Sequence, residues 1–203
     1  RIVERETGKK IYTILQLRLH DSVIALKQKI ADELAVDPGK RFAVDLTYLT
    51  SRGSWYFASW KGELRRSGGI ATNIGIHFFD MLTFLFGDVQ DSRVHASRDD
   101  AAAGVLSFRN AEVRWFLSVN EAYLPDAARA ANKRTYRSIQ FDGDEFEFSE
   151  GFTDLHTRSY EAVLGGRGFG LDVAEPSVRL ANDIRTMALS PLAGDYHPLA
   201  QKL

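Results

Sequence analysis

The stretch SGGIATNIGIHFFD, Ser67 to Asp80, decides the fold because it joins a glycine turn directly to an apolar helix. Gly68 and Gly69 are suited to positive φ or to a close approach of the backbone. The apolar positions that follow are Ile74, Ile76, Phe78, Phe79, Met81, Leu82, Phe84, Leu85 and Phe86. They predict a helix that is buried on most sides and that ends at Gly87.

Four polar side chains interrupt this apolar helix: Thr72, Asn73, His77 and Asp80. Because an unpaired buried polar group costs about 1–3 kcal/mol, each is expected to have a partner or a function. Asn73 and His77 are four residues apart and share a helix face, and Asp80 follows on that face three residues later. One interpretation is structural, a hydrogen-bonded pair of His77 and Asp80 that closes the core. The other is a functional histidine held in a fixed place.

The same stretch resembles the signature of the substrate domain of the Gfo/Idh/MocA oxidoreductases. In that signature, GG and a short spacer precede a carboxylate or amide, then a catalytic histidine four residues later within HxxD. The family histidine lies beside the nicotinamide of NAD and handles the proton of the hydroxyl being oxidised, so the resemblance implies that His77 is the catalytic acid/base. Many relatives have Asp where this chain has Asn73. An amide can orient a substrate but cannot serve as a base.

Two further segments narrow the resemblance: LTYLTSRGSWYFASWKGE, Leu46 to Glu63, and EGFTDLHTRSYEAVLGGRGFG, Glu150 to Gly170. They are similar to the WlbA or WbpB branch of the family, the 3-dehydrogenases of UDP-N-acetylglucosaminuronic acid in surface-polysaccharide (lipopolysaccharide O-antigen) biosynthesis. The resemblance covers nearly the whole chain. It implies NAD as cofactor, a nucleotide sugar as substrate and oxidation at C3 of the sugar.

Arg52 follows a predicted strand in a glycine-containing loop, which is a usual place for ligand-binding groups. Its guanidinium could pair with a carboxylate or a phosphate, although most loop arginines are simply solvated. The resemblance favours binding, because this loop faces the sugar uronate in related enzymes. It implies that Arg52, Tyr56 and Asn73 contact the substrate. Trp55 and Trp60 are interpreted as packing residues.

Two features of the whole family enzyme are not found in this sequence: a GxGxxG turn after a first strand, and a catalytic lysine in an EKP-like motif. The first residues of the chain resemble the point just after the cofactor domain. We therefore expect residues 1–203 to be the C-terminal substrate-binding and oligomerisation domain, with the N-terminal Rossmann NAD-binding domain absent. We also expect this domain to be inactive as a dehydrogenase on its own.

The run GGRGFG, Gly165 to Gly170, lacks the context of a dinucleotide fingerprint, which needs a preceding strand and a following helix. It follows TDLHTRSYEAVL, a predicted helix capped at Thr153 or Asp154. The glycines are expected to end this helix and to form a loop, and a late helix is expected to begin near Pro176. No cofactor-binding residue is therefore assigned in this chain.

The remaining histidines give no strong signal for a site. His156 and Asp154 could join His77 and Asp80 in a two-histidine carboxylate site, but nothing in the spacing brings the two segments together and neither has a metal motif. No metal ligand is assigned. The other three are expected at the surface or in turns, without a visible partner: His20, His95 and His197.

The composition describes one domain. A chain of 203 residues with 44% hydrophobic content can bury well over half of its unfolded surface. No uninterrupted apolar stretch reaches the roughly 18 residues that span a bilayer, and the first residues are no signal peptide, so we expect a cytoplasmic protein without a membrane partner. The sequence has no cysteine, which excludes disulfides. Its 26 basic and 27 acidic residues indicate no nucleic-acid surface.

Hydrophobic patterns predict an α+β fold. A helix is expected over His20 to Leu34, followed by alternation typical of a strand in RFAVDLTYLT. Further strands are expected in DSRVHASR, AGVLSFRN, EVRWFLSVN and RTYRSIQFDG, and the last turns through Asp142 to Asp144 into EFEFS. Consecutive strands with short turns predict an open, mainly antiparallel sheet with helices on one face. The resemblance implies the same dihydrodipicolinate-reductase-like fold.

The strand EVRWFLSVN carries large apolar residues on both faces, Trp115 on one and Phe116 on the other, so a second covering layer is predicted. In the resembling family the sheets of two subunits pack face to face and tetramers are usual. We therefore expect a homo-oligomer, a dimer or tetramer, through this sheet face.

An alternative from a different functional class remains open, a noncatalytic module for nucleotide-sugar binding or oligomerisation. Asn73 favours it, whereas the presence of Arg52 and His77 on their motifs opposes it. A dehydrogenase of another sugar is a third possibility.

Overall fold

The structure, a computed structural model, describes residues 1–148 and 152–203. The quoted segment that begins at Glu150 and the end of EFEFS reach residues 149–151, which lie outside the described residues.

Helices and strands are interspersed along the chain. The helices are α1 (Ile2–Thr7), α2 (Asp21–Val36), α3 (Ser54–Ala58), α4 (Leu64–Ser67), α5 (Ile76–Phe86), α6 (Asp126–Ala130), α7 (Leu155–Leu164) and α8 (Leu171–Thr186). The strands are β1 (Tyr12–Thr13), β2 (Phe42–Thr50), β3 (Val89–Ser97), β4 (Ala101–Phe108), β5 (Ala111–Ser118), β6 (Thr135–Phe141), β7 (Asp144–Glu147) and β8 (Phe169–Gly170). Three 3-10 turns lie at Gln16–Leu19, Glu121–Tyr123 and Pro198–Lys202, and a π-helical turn at Ala71–Gly75.

Six strands form the main sheet in the order β3, β4, β5, β2, β6, β7, and β1 pairs with β8 in a small antiparallel sheet. Within the main sheet β2 and β5 are parallel, and the other neighbouring strands are antiparallel. The prediction of an open, mainly antiparallel sheet is confirmed. The parallel pair arises because β2 leads into the helices α3 to α5, and the chain returns through β3 and β4 before β5 pairs with β2.

The main core lies between one face of this sheet and the helices α2, α5 and α8. The helix α5 is at its centre, where Phe79, Met81 and Leu82 are fully buried. Gly75 allows a close approach there, because a Cβ at this position would lie 2.8 Å from the Phe79 ring and 2.9 Å from Leu117. The helical stretch Leu64–Phe86 is long and apolar enough to cross a membrane by length and composition, but 56% of it is buried within the fold.

The second sheet face is covered in part by the chain itself. Leu124, which follows the turn Glu121–Tyr123, and Ala200 near the C-terminal end pack with Leu49 and Phe116 in a second apolar cluster. The predicted second layer is therefore provided, at least over this area, by segments of the same chain.

The last long helix begins earlier than the sequence predicts. It starts at Leu171 after the extended residue Gly170, and Pro176 lies inside it rather than at its first turn. Proline inside a helix removes one intrahelical hydrogen bond and is common in the first turn, which is why the sequence predicts a helix start at that position. The other boundary at this end agrees with prediction, since α7 ends at Leu164 and Gly165 follows it as the C-cap.

Candidate functional site

A cavity of about 600 Å³ opens beside the N-terminal end of α5. Its walls come from the loop after β2, the π-helical turn, α5, β6 and α7. Four predicted site residues line it together: Arg52, Tyr56, Asn73 and His77. Residues far apart in the sequence therefore meet at one place, as the predictions required.

The loop after β2 fixes the first wall of the cavity. The backbone N–H of Arg52 donates to the carbonyl of Val119 over 3.0 Å, which anchors the loop next to β5. Tyr56 follows in α3 and is only 2% exposed. Its hydroxyl accepts a hydrogen bond from Asn73 Nδ2 over 3.3 Å, so the loop and the helix segment are joined at the cavity wall.

The glycine turn delivers the polar residues of the second wall. Gly68 and Gly69 have φ of 76° and 77°, which confirms the predicted left-handed turn. The π-helical turn Ala71–Gly75 follows and contains Asn73. Such turns recur at functional sites because they redirect side chains within a helix. Asn73 and His77, one turn apart, both reach the cavity.

His77 lies in the cavity wall with a lowered pKa. Burial lowers its pKa, the Asp80 carboxylate raises it in opposition, and His156 lowers it further. The net pKa lies below the ordinary histidine value, so the imidazole is uncharged at neutral pH and has a lone pair to accept a proton. Among the described residues His77 has no hydrogen-bond partner, which leaves that lone pair open to a ligand.

Asp80 serves a structural purpose instead of pairing with His77. Arg18 donates to both of its carboxylate oxygens, Nε to Oδ2 over 2.9 Å and Nη2 to Oδ1 over 2.8 Å. The Asp80 side chain is only 1% exposed, and it does not line the cavity. The structural interpretation of a His77 and Asp80 hydrogen bond is thus wrong, because a bidentate guanidinium satisfies the carboxylate better than one imidazole N–H.

Several cavity residues were not assigned to the site from the sequence. The Arg137 guanidinium lies over the Phe152 ring at 3.9 Å and the Tyr48 ring at 5.5 Å, and burial lowers its pKa. Gln16 also lines the cavity, and its side-chain oxygen is buried without a partner among the described residues. Nothing in the local pattern distinguishes these two residues from ordinary strand and turn residues.

Trp55 was interpreted as a packing residue, and this interpretation is wrong. The Trp55 side chain lines the cavity, and the residue is 50% exposed. Trp60 is 53% exposed as well, so it is not a core residue either, and it does not line the cavity. Both lie in a short segment on the protein surface, where an indole has too few neighbours to be enclosed.

The cavity has a cationic lining. Arg52, Lys61 and Arg137 contribute to its wall, and no Asp or Glu within residues 1–148 and 152–203 does so. Positive groups on partly apolar walls favour an anionic ligand, because the lower dielectric constant in the cavity strengthens the attraction between opposite charges.

The predicted turn histidines have partners, contrary to expectation. His20 and His197 are buried, and each accepts a backbone N–H at the start of a helical segment through Nδ1, from Ser22 and Leu199 respectively. His95 Nδ1 lies 3.0 Å from the Pro191 carbonyl. His156 lines the cavity with His77, but the described residues contain no group of three or more His, Asp or Glu arranged for a metal ion.

Residues 39–129 match the model of a family described as "Oxidoreductase family, C-terminal alpha/beta domain", GFO_IDH_MocA_C. The chain contains the C-terminal α/β domain of the Gfo/Idh/MocA oxidoreductases. The observed mixed α+β fold, with its mainly antiparallel sheet, agrees with this membership.

Solved structures extend the likeness beyond the matched residues. The chain is 48% identical to the WlbA (WbpB) dehydrogenase of Thermus thermophilus in complex with NAD and UDP-GlcNAcA, with a TM-score of 0.90. The match covers 98% of this chain and 62% of that enzyme. For the same enzyme in complex with NAD and alpha-ketoglutarate the identity is 49% and the TM-score is 0.91, and the match covers 98% of this chain and 63% of that enzyme. The WlbA dehydrogenase of Bordetella pertussis, 19% identical with a TM-score of 0.67, shares the fold over 95% of this chain and 67% of that one. The chain thus spans under two thirds of the length of the Thermus enzyme.

Proposed function

We propose that this chain is the substrate domain of an NAD-dependent dehydrogenase that oxidises C3 of UDP-N-acetylglucosaminuronic acid. The observation that carries the proposal is the meeting of Arg52, Tyr56, Asn73 and His77 in one cationic cavity. The chain's likeness to an enzyme whose structure holds NAD and UDP-GlcNAcA supports the same substrate class. Such a ligand carries negative charge on its diphosphate and on its uronate, which suits this lining.

In this proposal His77 accepts the proton of the C3 hydroxyl. Its lowered pKa keeps the imidazole neutral, so it can act as a general base at neutral pH without first losing a proton. Asn73 and Tyr56, which are hydrogen-bonded to each other, orient the sugar. Arg52 pairs with a carboxylate or a phosphate of the substrate. Asn73 cannot replace His77 as the base, since an amide does not accept a proton near neutral pH.

NAD would supply the hydride acceptor when bound. The run Gly165 to Gly170 follows α7 rather than a strand of a βαβ unit, so it does not form the dinucleotide phosphate turn. We infer that an N-terminal Rossmann domain binds most of the cofactor. This chain's own residues suit contact at the reactive end only: His77, and Gln16 with its buried unsatisfied oxygen, which an amide N–H of a ligand would satisfy.

The same proposal has consequences for the whole protein. Residues 1–203 would be inactive as a dehydrogenase without the cofactor domain. The enzyme would act in the cytoplasm, in lipopolysaccharide O-antigen biosynthesis. It would also form a homo-oligomer through the second sheet face, which segments of the same chain cover only in part.

A noncatalytic nucleotide-sugar-binding module is the second candidate function, and Asn73 is the observation that favours it. The two functions differ in what His77 does. Under the dehydrogenase proposal, His77→Asn in the whole protein lowers kcat by roughly 10²–10⁴-fold, as expected for loss of general base catalysis. The Kd for the nucleotide sugar stays within about threefold, because the proton transfer is made only in the transition state.

The experiment measures both quantities on the same protein preparations, turnover by NADH absorbance and affinity by calorimetry. A wild-type protein that binds the nucleotide sugar and NAD but never reduces NAD would favour the noncatalytic module. An active wild type with an equally active His77→Asn variant would remove His77 from the mechanism and leave the dehydrogenase activity standing.

A further inference from the structure

We propose that Trp55 and Lys61, together with Arg52, form a subsite for the nucleoside diphosphate part of the substrate at the outer end of the cavity. This inference rests on the proposed function, which supplies the ligand class. It assigns a binding role to Trp55, which was interpreted as a packing residue, and to Lys61, which begins a basic cluster that could meet a phosphate.

The indole of Trp55 is the centre of this subsite. It lines the cavity while half of the residue remains exposed. Its ring meets the ring of Tyr56 edge to face, with centroids 6.0 Å apart and planes at 78°. Because Tyr56 is buried and fixed by Asn73, this contact holds the indole in place while much of its surface stays open. An exposed, immobilised indole is suited to stacking with a nucleobase.

Two cations flank this ring. The Arg52 guanidinium carbon and the Lys61 Nζ each lie 5.8 Å from the centroid of the Trp55 ring. Neither side chain forms an ion pair with any Asp or Glu of the described residues. An anion that approaches the exposed ring is attracted by both cations. A diphosphate, with negative charge on both phosphoryl groups, suits such a pair.

The contacts along the cavity wall set the direction of the substrate. Trp55 touches Tyr56, Tyr56 binds Asn73, and Asn73 shares a helix face with His77. A ligand that places its base on Trp55 and its diphosphate near Arg52 and Lys61 therefore has its sugar next to Tyr56 and Asn73. The reactive hydroxyl then faces His77, at the opposite end from the nucleotide.

The same surface segment offers matched controls. Trp60 is as exposed as Trp55 and lies five residues later, but it does not line the cavity. Arg65 is an exposed cation of the same segment and is also outside the cavity. A general effect of removing an indole or a positive charge from this surface would appear equally in these control variants.

The test measures the Kd of UDP for the whole protein by calorimetry. We expect Trp55→Leu and Lys61→Met each to weaken UDP binding by about tenfold or more, from lost base stacking and a lost charged hydrogen bond. Trp60→Leu and Arg65→Met should change the Kd by less than about twofold. The Kd of NAD should be unchanged in all four variants, which separates this subsite from the cofactor site.

Uridine, which lacks the diphosphate, separates the two contributions. Measured by competition with UDP, uridine should lose affinity in Trp55→Leu but not in Lys61→Met. Unchanged UDP affinity in both variants, or equal losses in their controls, would overturn the subsite. This outcome is distinct from failure of the proposed function, which would appear as wild-type protein that binds UDP through Trp55 but does not reduce NAD with the uronate.

Discussion

At the scale of single residues, the surroundings of His77 determine its chemistry. Burial lowers its pKa more than the Asp80 carboxylate raises it, and Arg18 already holds that carboxylate in a bidentate ion pair. His156, from α7, faces the same cavity and lowers the pKa of His77 further. The pKa of His77 is therefore lowered in part by an element that follows it by almost eighty positions in the sequence.

A pH profile of the whole enzyme tests this tuning. If His77 is the base, as proposed, oxidation needs its neutral form, so kcat/KM should fall on the acid side as the pH drops through the lowered pKa of His77, below the ordinary histidine range. His156→Gln removes one cause of the lowering and should move this acid limb to higher pH. Tyr160→Phe, a change in the same cavity wall without charge, should leave the midpoint in place. If the acid limb of His156→Gln keeps its midpoint or moves to lower pH, His156 does not lower the pKa of His77.

The resemblance to a family signature predicted that Arg52, Tyr56, Asn73 and His77 lie together, and they line one cavity. Arg137 and Gln16 could not be predicted, since a residue of β6 and one of a 3-10 turn enter the cavity only through tertiary packing. Trp55 was misinterpreted because an indole in a sequence gives no sign of whether its neighbours enclose it.

At the scale of elements, the pair of Arg18 and Asp80 links the 3-10 turn Gln16–Leu19 to α5. Asp80 is almost fully buried and Arg18 is 14% exposed. The guanidinium also lies over the Phe84 ring at 5.2 Å and the Phe169 ring at 5.7 Å. This arrangement attaches the N-terminal segment and β8 to the helix that carries His77.

Arg18→Met should be strongly destabilising, because it leaves a buried carboxylate without its partner. We expect the free energy of unfolding to fall by about 3–5 kcal/mol, as for other broken buried pairs. The matched control is Arg179→Met, which removes an exposed ion pair with Glu175 within α8 and should cost about 0–1 kcal/mol. Urea unfolding monitored by circular dichroism measures both. Equal losses for the two variants would show that the buried pair adds nothing beyond a surface one.

Most strands could be read from the sequence because alternation and turn residues are local signals. The hairpin of β6 and β7 is an example, since Asp142 and Gly143 adopt φ of 51° and 93° as a two-residue turn requires. The parallel pairing of β2 with β5 could not be read in this way. It depends on where the chain returns after three helices, which no local pattern encodes. The start of α8 was misplaced for a related reason, since Pro176 is tolerated inside the helix.

At the scale of the whole molecule, the C-terminal segment covers part of the second sheet face, and the His197 side chain links this segment to β2. Its Nδ1 accepts the N–H of Leu199, so its Nε2 carries the proton and donates to Thr47 Oγ1 over 2.9 Å. Its ring also stacks on Phe116 at 5.6 Å. Burial lowers the pKa of His197 to about 4, the effect of Asp45 is to raise it, and Arg114 lowers it.

The lowered pKa of His197 makes the stability of the domain depend on pH. The unfolded histidine binds its proton near pH 6.5 and the folded one only near 4, so its contribution is complete above about 6.5 and is lost as the pH falls toward 4. The loss is on the order of 3 kcal/mol. His197→Asn keeps a capping acceptor but does not titrate, so its unfolding free energy should vary less over this range. An identical pH dependence in this variant and in wild type would refute this role of His197.

We propose that the whole protein oxidises a nucleotide sugar uronate with His77 as the base. The most direct measurement is single-turnover reduction of NAD by the whole protein, followed by cofactor absorbance after mixing with UDP-N-acetylglucosaminuronate or with its neutral parent sugar. We expect reduction with the uronate, little with the neutral sugar, and reduction slowed by roughly 10²–10⁴-fold with the uronate in His77→Asn. Protein that holds NAD but reduces it with neither sugar would contradict the proposed activity.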